Sequence, residues 1–129
     1  MFINLGFRMF VAVMLVYAGI AWSLPAPQAI ANKKELRSAL KTARTPEDHR
    51  RIAAYFQEEA RNLREKAKQE QDLANYSLEH ANNYPKKYPT PYQNTKQLAD
   101  YYQWASDQAL AKATKHLEQA KEAERSTQK

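Results

Sequence analysis

Three histidines and no cysteine bound the metal and proton chemistry open to this chain. His49 opens the longer predicted helix, His80 lies in its last turns, and His116 falls midway along the second helix. Metal-binding helices present ligands at i and i+4, or set histidine among carboxylates. None of the three histidines has such a partner in sequence. The expected helix register places His116 against Leu63, roughly 20 Å from His49 at the helical rise per residue. It places His80 near Asp100, as an ion pair and not a site. No metal and no cofactor follow from these residues. Nucleophilic catalysis lacks its parts too: the few Ser and Thr fall at helix caps or on helix surfaces, with no base assigned to them. The chain reads as a non-enzymatic protein with no catalytic residue.

Aromatic residues are the better lead. The sequence has eight tyrosines and two tryptophans. Tyr55, Tyr101 and Tyr102 fall on or beside an apolar stripe and are expected in the core. Tyr76 and Trp104 fall well off it, at a similar height in the expected register, and form the candidate interaction surface. Glu70 occupies a stripe position, where its long side chain can pass the small Ala109 to reach water. Lys33, Lys34, Arg37, Lys41, Arg44, Arg50 and Arg51 make a basic stretch suited to a solvated face or peripheral contact with an anionic membrane surface. The formal net charge of +6 is carried without the dense Lys/Arg blocks of a nucleic-acid binder, so no nucleic-acid partner is expected.

The elements that must position these residues are helical. Two glycines in the whole chain, with abundant Ala, Lys, Glu and Gln, favour helix over strand. Residues 32–44 form a basic N-terminal segment, a short helix with Leu36 and Leu40 one turn apart. Thr45-Pro46-Glu47-Asp48 is a helix start: a capping hydroxyl, proline at the first position, and carboxylates at the positive end of the dipole. Helix one is expected over 46–82, about 55 Å long. A proline- and tyrosine-rich loop follows at 83–94, then helix two over 95–125 and a polar tail at 126–129.

An internal repeat links the two helices. Ala53, Tyr55, Gln57, Lys66, Ala67 and Ala74 recur at a constant offset as Ala99, Tyr101, Gln103, Lys112, Ala113 and Ala120. Alanines at 53, 60, 67, 74 and 81 keep a seven-residue period, as do Ala99, Ser106, Ala113 and Ala120, which marks a supercoiled seam. Chain reversal then pairs Ala81 with Ala99, Ala74 with Ser106, Ala67 with Ala113 and Ala60 with Ala120; a slip of one heptad also fits. The expected fold class is all-α: an antiparallel two-helix hairpin of the alanine-rich coiled-coil type, dimerising to a four-helix bundle to cover its outward aromatics.

The first residues read as an export signal. Arg8 supplies the positive charge, Met9 to Trp22 the apolar run, and Ala29-Ile30-Ala31 a small-x-small cleavage pattern, so residues 1–31 are expected to be removed. An uncleaved single-pass anchor is the alternative, but a spanning helix needs about 20 apolar residues and Pro25 and Pro27 interrupt this run. The expected location is the periplasm or the exterior. Self-association or another envelope protein supplies the expected partner.

Thr45-Pro46-Glu47-Asp48-His49, followed by Ile52-Ala53 and Tyr55-Phe56, resembles the opening of small exported bacterial helical proteins of unknown function. In that group a second pattern, Ala-x-x-His, lies further along the helix. Ala113-Thr114-Lys115-His116 keeps it, whereas Ala67-Lys68-Gln69-Glu70 has Glu in place of His. The resemblance implies an exported helical protein without a known activity. Together these readings point to a structural or protein-interaction module, with a small periplasmic chaperone, stress or metal-responsive protein as the alternative.

Overall fold

The computed structural model describes residues 28–128; Arg8 and the apolar run of the expected signal lie outside them. The described residues form helices α1 (Lys33–Thr42), α2 (Pro46–Glu79) and α3 (Pro91–Thr127), with a 3₁₀ turn at Ala81–Asn83. None of these helices is long and apolar enough to cross a membrane.

Local chemistry sets each start. Asn32 caps α1 by accepting from the Glu35 N–H at 2.9 Å. Thr45 accepts from the Asp48 N–H at 3.1 Å while the Asp48 carboxylate accepts from the Thr45 N–H at 3.1 Å, a reciprocal capping box with Pro46 in the first turn. The same device recurs where the sequence suggested loop. Thr90 accepts from the Gln93 N–H at 3.2 Å, Gln93 Oε1 accepts from the Thr90 N–H at 3.0 Å, and Pro91 begins α3. Helix two therefore starts at 91 instead of 95, because Pro91 stands in the first turn, where its fixed φ suits the helix and its missing N–H costs nothing. It also runs to Thr127, into the expected tail, while α2 ends at Glu79 and not at 82.

The two long helices pack together and run in opposite directions. Lys66 lies over the Tyr102 ring, Ser106 reaches Ala60, His116 meets His49, and Glu124 pairs with Arg50. Their contact is built mainly from small residues: Ala53, Ala60, Ala67, Ala74 and Ser77 on α2 against Ala99, Ser106, Ala109, Ala113 and Ala120 on α3. Ala60 faces Ser106 where Ala120 was expected, and His116 faces Phe56 where Leu63 was expected. The register is thus displaced along α3 by one to two heptads from the sequence-based one. A seam of alanines repeats every seven residues and accepts several registers.

Larger apolar side chains collect at one end. Ile30, Ala43, Ile52, Ala53, Phe56 and Ala113 form a buried cluster, joined by partly buried Leu36, Ala39, Tyr55 and Leu117. Residues ahead of α1 are tied down there: Arg51 Nε donates to the Gln28 carbonyl at 2.7 Å, and the Ala31 N–H donates to Glu35 Oε2 at 2.9 Å. Ile30, which the expected cleavage after Ala31 would remove, is part of this core.

Candidate functional site

Two arrangements stand out, at opposite ends of the helix pair. The first is an apolar face toward the loop. Ile52, Leu73 and Leu98 each immediately precede a buried alanine of the seam, namely Ala53, Ala74 and Ala99. That shared position flanks the seam, and in an antiparallel pair the residues so placed on both helices lie on one side of it. Ile52 is 0% exposed under Ile30 and the residues of α1, whereas Leu73, three heptads further on, is 52% exposed. Tyr55 and Tyr76 repeat the contrast, partly buried in the first case and exposed in the second. On α3, Leu98 and Tyr101 are the repeat counterparts of Ile52 and Tyr55, and both are exposed.

Tyr76 and Trp104 are exposed as expected, but they are not level with one another. With Lys66 set over Tyr102, Trp104 lies on the order of 15 Å along the axis from Tyr76. Tyr76 stacks on His80 at 4.1 Å between centroids, and Trp104 lies 6.1 Å from Tyr101. Tyr101, expected in the core, is 57% exposed, because it stands one further step around the helix from the seam than Leu98. The repeat carried this signal, since Tyr101 inherits the position of Tyr55 without the segment that covers it.

The second arrangement is a histidine pair. His49 Nδ1 and His116 Nδ1 are 3.2 Å apart, with their rings stacked at 5.5 Å and 25°. The expectation that they lie some 20 Å apart is overturned by the register, which carries His116 to the N-terminal end of α2. Phe56 stacks on the other partner, its ring 6.1 Å from that of His116 and inclined by 15°. Lys112 Nζ sits 5.4 Å from the Phe56 ring centre. Burial, the neighbouring His49 and then Lys115 push the His116 imidazole below its ordinary pKa. Among the described residues no group of three or more His, Asp or Glu converges. His80 is apart from the pair, its Nδ1 2.9 Å from the Tyr76 carbonyl oxygen, and Asp100 pairs with Lys96 in place of His80.

The basic stretch divides. Lys33, Lys34, Arg37 and Lys41 are exposed on α1. Arg50 pairs with Glu47 and Glu124, and Arg51 holds Gln28. Glu70 is half-buried. A groove of about 770 Å³ runs between residues 29–31 and the side of α2 bearing Tyr55, Glu59 and Asn62. No family model matches this sequence, no curated protein is significantly similar to it, and no solved structure is significantly similar to its fold.

Proposed function

We propose that this chain is an exported, non-enzymatic helical module that associates with a second copy of itself through the loop-half face of Leu73, Tyr76, Leu98, Tyr101 and Trp104. One observation carries the reading: a face that residues 28–43 cover at the Ile52–Tyr55 end is bare at the repeat-equivalent Leu98–Tyr101 end. A two-helix seam of alanines buries little apolar surface per residue, so leucines and aromatics beside it are the main reserve of burial energy. Two copies joined on this face make a four-helix bundle with larger side chains between the alanine seams. Kinship with the small exported proteins that share the Thr-Pro-x-Asp-His opening belongs to the same reading.

Export is supported by Arg8, the apolar run and the small-x-small patterns at its end and beyond it. The burial of Ile30 favours processing ahead of Gln28, where Ala21-Trp22-Ser23 also satisfies the small-x-small rule, over processing after Ala31. Light scattering on the purified protein tests the association. The expected result is a dimer at micromolar concentration that Tyr101→Lys and Leu98→Glu convert to a monomer of unchanged helicity. A wild-type monomer under those conditions overturns self-association. Intact mass of the exported form tests processing: a chain starting at Asn32 overturns the upstream site.

A further inference from the structure

His49 and His116 reach each other from two different helices, and among the described residues neither makes a further side-chain hydrogen bond. As neutral imidazoles they share one proton, one Nδ1 donating and the other accepting. The 3.2 Å between these atoms is also the separation of two imidazole donors on one four-coordinate ion. Metal–nitrogen bonds of about 2.0–2.1 Å opened to the tetrahedral angle put the nitrogens about 3.3 Å apart. A metal ion can therefore take the place of the bridging proton with little movement of either helix, once the donor ring carries its proton on Nε2 so that both Nδ1 lone pairs are free.

The surroundings hold the rings in place. Phe56 stacks on His116, and His49 sits in the first turn of α2, fixed by the Thr45–Asp48 capping box. One turn beyond His116, Gln119 keeps a buried Oε1 with no hydrogen-bond partner, a neutral oxygen on the same helix. Phe56 stacks on His116 with Lys112 over the Phe56 ring, and Lys115 is a further charged neighbour acting on His116. Magnesium and calcium demand several hard oxygen donors, whereas imidazole suits zinc, nickel and copper.

We propose that His49 and His116 form a two-imidazole site for a late first-row divalent ion, which clips α2 to α3 at the end remote from the loop. Water, or a donor from another molecule, completes the coordination. The site is independent of the loop-half face, so either can fail alone.

The test is metal titration of the purified chain after chelator treatment at pH 7.5, followed by thermal melting and by copper electron paramagnetic resonance. Zinc is expected to raise the melting temperature by several degrees with one ion per chain, and magnesium to leave it unchanged. Copper is expected to show two nitrogen ligands. His49→Ala and His116→Ala each weaken binding at least tenfold, while His80→Ala leaves it intact. Absence of a zinc shift in the wild type, or a shift that survives both His49→Ala and His116→Ala, overturns the proposal. Circular dichroism checks that the variants fold; if His116→Ala does not, the His49→Ala variant and the copper spectrum decide.

Discussion

The Ser106 hydroxyl donates to the carbonyl oxygen of Ala60 across the α2–α3 interface at 2.8 Å, with both residues buried. A side chain this short reaches the facing main chain only if the two helices approach closely, as alanines above and below it allow. Ser106→Ala removes one net hydrogen bond, an expected loss of about 1 kcal/mol, since the Ala60 carbonyl keeps its own helical position. Ser106→Leu forces the helices apart and is expected to cost about 1–3 kcal/mol by overpacking, or to shift the register. Urea unfolding of both variants checks the order; equal stability for Leu and Ala would deny the close approach.

This pairing also explains what the sequence could and could not disclose. Helicity, the Thr45 start and the small-residue seam were legible, because propensity, capping and period are local properties. Register was not, since Ala60 can face Ala120 or Ser106 with nearly the same seam. The missing signal was Thr90-Pro91-Tyr92-Gln93, which repeats the logic of Thr45-Pro46-Glu47-Asp48 inside a segment that its prolines disguised as loop. The displaced register, to which the early start of α3 and the early end of α2 contribute, brings His116 to His49 and separates Tyr76 from Trp104. Exposure of those two aromatics was legible from the helical wheel. Exposure of Tyr101 required knowing which residues cover Tyr55, a tertiary fact.

The second capping box gives a direct prediction. Thr90→Ala strips the acceptor from the Gln93 N–H and is expected to cost about 1 kcal/mol, within the range of other cap losses. Hydrogen exchange should show the first turn of α3 fraying toward residue 95, while Ala109 to Ala120 stay protected. A Thr90→Ser variant keeps the hydroxyl and is expected to behave as the wild type.

The first capping box is pH-dependent. Hydrogen bonds from the Arg44 and Thr45 main-chain N–H groups, and from the Thr45 hydroxyl, hold the Asp48 carboxyl below its ordinary value, against a smaller opposing effect of desolvation; nearby Arg51 adds to the lowering. The unfolded chain therefore binds this proton at a higher pH than the folded one. Stability from Asp48 is full above its ordinary pKa of 3.8 and is lost as the pH falls through the lowered folded value. Asp48→Asn keeps an acceptor but no titrating group. Thermal melts between pH 5 and pH 2.5 should fall more steeply for the wild type than for Asp48→Asn; parallel curves would contradict the assignment.

The segment ahead of α1 provides the last prediction. Ile30 sits with Ile52, Phe56 and Ala113 in a buried apolar cluster. Arg51 and Glu35 anchor the backbone on either side of it. Full burial of an isoleucine is worth about 1.5–3 kcal/mol. A chain beginning at Asn32 loses that burial, uncovers Ile52 and leaves the Arg51 guanidinium without the Gln28 carbonyl. It is expected to be about 2 kcal/mol less stable than one beginning at Leu24. Ile30→Ala in the longer chain should reproduce most of the loss, and Ile30→Leu little of it, because volume is conserved. If detachment of the segment precedes global unfolding, the loss appears first as increased exchange at α1 and only partly in the urea midpoint. Equal stability of the two starting points, with Ile30→Ala neutral as well, would show that residues 28–31 lie on the fold without contributing to it.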